Sequence, residues 1–176
     1  MTPTTLRRLD QLSRALLYLW AGAALGFGLA TAPLLFGELP SRDVAGRLAG
    51  LVIGRLDWAA WAAFGLAGLS WLGRWLAEVH EEAIGPIRVW GAALLLALLM
   101  CLSSSFVIGP KVHAIRARIS APIETLGKDH PDRVVYNKAH GVSRNLFFLR
   151  VLLALGLAAT VGLLPLGGKE PQAPEA

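Results

Sequence analysis

Cysteine is nearly absent: the one thiol, Cys101, has no partner for an internal disulfide or for a CxxC metal or redox pair. Charge is scarce as well. Only 16% of the 176 residues are Asp, Glu, Lys or Arg, against 55% hydrophobic residues, and the mean hydropathy of +0.53 lies outside the range of a soluble domain. No polar stretch is long enough for a second domain, and no P-loop, Rossmann glycine pattern or nucleophile elbow occurs. Conventional soluble catalysis therefore has nothing to stand on, and the chain reads as not an enzyme. The two methionines, Met1 and Met100, and the missing HxxxH exclude the commoner metal-site patterns.

What is present is oil in long runs. Four continuous apolar stretches, at about 15–36, 50–75, 89–108 and 142–166, each supply the roughly 20 residues that cross a hydrocarbon core about 30 Å thick. Barrel strands would alternate over about ten residues, and these do not. The sequence predicts an all-α fold, an integral membrane four-helix bundle occupying 15–166. A short N-terminal segment, 1–14, precedes it, and a disordered tail, 167–176, follows. The first stretch resembles a signal peptide in its flanking Arg7, Arg8 and Arg14. Its length, and Pro33 after the small-residue site Ala30-Thr31-Ala32, mark it instead as a retained helix. Gly109-Pro110 reads as the exit of the third helix, and Pro122 and Pro131 break the connector from Lys111 to Ala139.

Glycine recurs at packing intervals, Gly22 with Gly26, and Gly46, Gly50 and Gly54 in series. Internal helix packing is the expected use of these faces and a homo-oligomer the alternative. Of the six tryptophans, Trp20, Trp58, Trp75 and Trp90 lie near span ends or within the first span, and an interfacial belt accounts for several of them.

Antiparallel spans bring the end of the first, the start of the second, the end of the third and the start of the fourth to one face. That face collects Arg47, Arg55, Arg116, His113, His140, Arg144 and Asn145. Outside the spans it carries ten Lys and Arg (Arg42, Arg47, Arg55, Lys111, Arg116, Arg118, Lys128, Arg133, Lys138, Arg144). The opposite face carries six (Arg7, Arg8, Arg14, Arg74, Arg88, Lys169); the count puts the basic face in the cytoplasm, while Arg7, Arg8 and Arg14 ahead of the first helix argue the other way. Guanidinium forks match phosphate and carboxylate bidentately. Arg47, Arg55, Arg116, His140, Arg144 and Asn145 are therefore the candidate site for an anionic or polar ligand or a lipid headgroup. Asn137, His140, Arg144 and Phe147 share one helical stripe, expected between neighbouring helices. Arg150 lies roughly 12 Å beyond Val142. A lone arginine that deep costs at least ~2.5 kcal/mol, so it needs a partner, and Asp57 is the candidate, with Ser103, Ser104, Ser105 and Thr31 in the same layer.

His113 with His140 is the alternative pair, as ligands for haem or a metal ion, although two interfacial residues tying off helix ends account for them more simply. His80 with Glu78, Glu81 and Glu82 reads as a solvated joint, not a metal site. The basic residues flank hydrophobic spans instead of forming a polar patch with interleaved aromatics, so no nucleic-acid partner is expected. Membrane lipid is the expected partner, and no cofactor is expected on the leading reading.

Three segments, "TAPLLFGELPSRDVAGRLAG", "FVIGPKVHAIR" and "KAHGVSRNLFF", together resemble the bacterial family known as domain of unknown function 4149. That family is similar to eukaryotic transmembrane protein 205. The resemblance runs over roughly Leu12 to Leu164, and its most specific pieces are Pro33 with Phe36, Pro110 to Arg116, and His140-Gly141 with Ser143 and Asn145. Tyr136 and Ala139 depart from the Phe and Leu usual at those places. It implies a four-helix protein of the bacterial inner membrane with no assigned biochemical role, and a eukaryotic relative implicated in resistance to platinum compounds. A function in export or membrane-stress handling fits that implication, as does a purely structural or assembly role.

Overall fold

A computed structural model describes residues 3–77, 84–119 and 122–164. Every long element in it is helical. The first rod runs as α1 (Pro3–Gly26), a π-helical segment Phe27–Thr31, and α2 (Ala32–Glu38). The second is the single helix α3 (Arg42–Ala77). The third comprises α4 (Ile84–Leu102), a π-helical segment Ser103–Ile108, and α5 (Gly109–Arg118). After a 3-10 turn, Ile123–Thr125, the fourth rod is α6 (Pro131–Thr160), closed by the 3-10 turn Val161–Leu163. Each rod packs on its sequence neighbours, and α1 also packs on α6, so the four close into a ring with the first and third rods on one diagonal and α3 and α6 on the other.

Three rods, Thr4–Glu38, Gly85–Arg118 and Pro131–Leu163, are long and apolar enough to cross a membrane by length and composition. The sequence predicts four such spans. α3 falls short of the other three because Ala, Gly and Trp dominate it where they have Leu, and because it holds Arg42, Asp43, Arg47, Arg55, Asp57 and Arg74.

The rods outrun the apolar stretches. Residues 3–14, expected as a separate segment, are the first turns of α1. At the other end α6 starts at Pro131, well before Val142: Pro131 fits the first helical position, His130 Nδ1 accepts from the Asp132 amide, and Asp132 complements the dipole. The expected exit at Gly109-Pro110 is overturned, since the third rod continues to Arg118. A proline inside an α-helix clashes with the carbonyl four residues back. Here a π-helical turn comes first and moves that carbonyl aside, with the Gly109 amide donating to Ser104 O. Pro33 follows the other π-helical turn in the same way.

Alanine, not glycine, fills the interior. Ala21, Ala24, Ala60, Ala63, Ala67, Ala97, Ala154 and Ala158 are buried around Leu17, Phe64, Val151 and Leu157. A Cβ placed on Gly22, Gly26, Gly46, Gly50 or Gly54 would meet nothing within 4 Å, so the expected internal use of those glycine faces is overturned. The belt reading fails for two tryptophans. Trp20 and Trp90 are buried, and their indole N–H groups donate to Leu56 O (2.8 Å) and Leu157 O (3.2 Å), while Trp58 is exposed. The expected disordered tail, 167–176, and the His80 joint lie outside the described residues.

Candidate functional site

Two buried charge centres divide the interior, one toward each end of the rods. Toward the end where α2, α3, α5 and α6 meet, Arg150 is wholly buried and its Nη2 lies 2.7 Å from Asp57 Oδ1. The two residues sit on diagonally opposed helices, so the contact crosses the middle of the ring. Ser104 bridges them: its hydroxyl donates to Asp57 Oδ2 at 3.2 Å and accepts from Arg150 Nη2 at 3.4 Å. Arg150 Nη1 points at Cys101 Sγ, 3.6 Å away. Nε has no hydrogen-bond partner among the described residues. The Arg150 guanidinium also lies 5.9 Å from the Trp20 ring and 5.8 Å from Phe147. Ser105 accepts instead from Trp61 Nε1 at 3.2 Å, and Thr31, expected in this layer, is exposed.

The second centre was not visible as a pair in the sequence. Arg74, counted there as a charge outside the spans, is 1% exposed and forms an ion pair with Asp10 through Nη2. Its Nε donates to Asp10 Oδ1 at 3.4 Å and its Nη1 to Leu164 O at 3.3 Å, while the Ser70 hydroxyl donates to Asp10 Oδ1 at 2.5 Å. The only early signal was Asp10 itself, an acidic residue one helical turn before an apolar run. Between the centres the packing is dry, built from Leu17, Phe64, Ala63, Leu94, Ala97 and Ala154.

The candidate ligand residues lie outside this interior. Arg47, Arg55, His140, Arg144 and Asn145 are exposed, which overturns burial of the stripe from Asn137 to Arg144; only Phe147 in that stripe is buried. Arg47, Arg55 and Arg144 form no ion pair among the described residues. Arg116 is engaged with Asp43 in an ion pair and lies 5.9 Å from the Tyr136 ring, tying α3, α5 and α6 together at the basic end. Sequence reasoning missed Asp43, whose place in the first turn of α3 also suits the helix dipole.

His140 stacks on Tyr136, with centroids 5.8 Å apart and planes 3° from parallel. His113 is exposed on α5, and no group of three or more His, Cys, Asp or Glu gathers for a metal ion among the described residues. An apolar groove of about 630 Å³ lies elsewhere, between α4 and α6, lined by Val89, Trp90, Ala93, Leu153, Gly156 and Leu157 among others.

No curated protein and no solved structure matches the chain. The family model described as domain of unknown function (DUF4149) does match, over residues 15–120, which runs from within α1 to the end of the third rod and stops short of α6. The chain belongs to the DUF4149 family.

Proposed function

We propose that the chain is an integral four-helix membrane bundle that binds anionic lipid headgroups, or small anions of the same chemistry, at its basic end. The observation that carries this reading is the set of exposed arginines without ion partners among the described residues, Arg47, Arg55 and Arg144, beside an apolar outer surface. Leu51, Trp58, Leu69, Leu95, Phe106 and Leu152 are among the large side chains facing outward, and no more than 39% of any of the three apolar windows is buried. An exterior richer in large apolar groups than the alanine-lined interior suits lipid as the solvent.

On the third rod the exposed Arg88 and Lys111 bracket this surface, and on the fourth the exposed Arg144 bounds it at the basic end. Arg88 to Lys111 on the third rod span about 34 Å of helix axis, and Arg144 to Leu164 on the fourth about 30 Å, both near the roughly 30 Å of a hydrocarbon core. Arg47 and Arg144 then fall at or beyond one headgroup layer, and Arg55, about 7 Å deeper, reaches it along its side chain; each guanidinium there is worth about 1 kcal/mol toward an anionic surface. Arg116, His140 and Asn145 flank them. Export or membrane-stress handling at a bacterial inner membrane, with the basic end in the cytoplasm, is the role this chemistry serves.

The test is retention of phosphatidylglycerol by the purified chain in native mass spectrometry. Replacing Arg47, Arg55 and Arg144 together by glutamine is expected to abolish that retention while leaving the helical circular dichroism unchanged; equal retention by both proteins refutes the reading. Open space beside Gly22, Gly26, Gly46, Gly50 and Gly54 supports a second reading, self-association through those faces. A monomer in lipid nanodiscs at all protein-to-disc ratios removes it.

A further inference from the structure

We propose that Arg150 is the inner half of an anion site, held shut in this structure by Asp57 acting as a built-in competitor, with a phosphate group as the ligand chemistry. The proposal rests on the reading of the basic end as anion-binding and adds to it a second, interior position.

The two buried arginines of the same molecule make the comparison. Arg74 is saturated: Nε and Nη2 both engage Asp10, and Nη1 donates to Leu164 O. That is how a purely structural buried pair meets its desolvation cost, with all three guanidinium nitrogens engaged by oxygen. Arg150 is equally buried but not saturated. Among the described residues Asp57 meets it through Nη2 only, which also donates to Ser104, Nη1 has just a thiol sulfur, a weak acceptor, and Nε has no hydrogen-bond partner. A guanidinium presents its fork best to two oxygens at once, and here the carboxylate leaves part of that fork unused.

Asp57 is also placed to leave. Its side chain is 15% exposed while that of Arg150 is sealed, and it lies two residues from the exposed Arg55 at the basic end. A phosphate entering from that end would take Nε and Nη2 together and the Ser104 hydroxyl as a third donor. A phosphodiester or a dihydrogen phosphate carries one negative charge, so its entry as the Asp57 carboxylate turns out toward the exposed end leaves the charge of the interior unchanged and avoids the cost of an uncompensated ion. The source of the phosphate is either a lipid headgroup or a small soluble phosphate.

The competitor role carries a sign that a structural role does not: removing Asp57 should strengthen anion binding. The full chain is placed in phosphatidylcholine nanodiscs, and its melting temperature is followed as inorganic phosphate replaces chloride at constant ionic strength. A second series exchanges part of the phosphatidylcholine for phosphatidylglycerol. Ligand bound only by the folded state raises the melting temperature in proportion to its affinity. The gain is expected to be small for the wild type, larger for Asp57→Asn with a several-fold lower half-maximal concentration, and absent for Asp57→Asn combined with Arg150→Gln. A gain with inorganic phosphate assigns the site to a soluble ligand, and a gain with phosphatidylglycerol alone assigns it to a headgroup.

Equal gains in all three proteins, or no gain in any, overturn the proposal. Ser104→Ala, which keeps both charges, is the second variant should Asp57→Asn fail to fold. Its gain should fall below that of the wild type, and an unchanged gain overturns the proposal equally. The glutamine triple variant at Arg47, Arg55 and Arg144 separates the two readings. Loss of lipid retention there with equal phosphate gains across the Asp57 series rejects only the interior site. Normal retention there with the ordered gains rejects only the outer one.

Discussion

Arg150 and Asp57 illustrate what one residue pair costs and what it specifies. Removing a single partner strands a buried charge, which typically costs about 3–5 kcal/mol. Asp57→Asn and Arg150→Gln should each destabilise the fold by that order in detergent, and the double substitution should recover part of the loss, because no charge is then left alone. Strictly additive losses in a thermal-unfolding cycle would show that the pair is uncoupled. Asp10→Asn and Arg74→Gln should behave the same way with a larger coupling, since that pair is held by more hydrogen bonds and is closed off with Ser70. The first pair was legible in the sequence because depth along a helix is a count of residues, and an arginine so far into an apolar run must have a counter-ion. The second was not: Arg74 sits where a span ends, and an interfacial arginine and a buried one look alike until the partner helix is in place.

Along each element, the sequence announces the apolar centre and misplaces the ends. Polar helical turns such as 131–141 carry no hydrophobic signal, and helix continuation there depends on caps and on neighbouring rods. Prolines mislead more directly, because Pro33 and Pro110 read as terminators while a π-helical turn ahead of each lets the rod go on. Gly109 is the residue that permits the second of these turns, since a Cβ there would sit 2.8 Å from the Ser104 carbonyl oxygen. Backbone does not yield as a side chain does, so Gly109→Ala should lower stability by about 1–3 kcal/mol. It should also disturb the layer that holds Ser104 against Arg150. Pro110→Ala should be close to neutral, and thermal melts of the two variants side by side check the contrast. Gly91 is a milder case: an added Cβ would press on the Trp71 indole at 2.5 Å, displacing the ring from its 2.9 Å bond to Ile87 O, and a smaller loss is expected of Gly91→Ala.

At the scale of the whole molecule, the parity of four antiparallel rods was readable from the order of the apolar stretches, and it placed Arg116 with Arg47, Arg55 and Arg144 at one end, but not the Asp43 and Tyr136 that Arg116 meets there. The surface was harder to read, because a helical stripe does not say which neighbour covers it; Asn137, His140 and Arg144 thus lie outside while Phe147 is inside. The same distinction sharpens the orientation. Of the six Lys and Arg first assigned to the end opposite the candidate site (Arg7, Arg8, Arg14, Arg74, Arg88, Lys169), Arg74 is neutralised by Asp10 and so drops out of the charge balance. Arg116 drops out of the larger side in the same way through Asp43, so the bias of ten against six becomes nine against five. Positive residues near span ends are held on the cytoplasmic side during insertion, so the basic end should face the cytoplasm. In a Cys101→Ser background, Lys111→Cys should resist a membrane-impermeant maleimide in intact cells and react only after lysis, while Arg88→Cys should react from outside. The reverse pattern would invert the orientation, and with it the leaflet from which Arg47, Arg55 and Arg144 draw their anions.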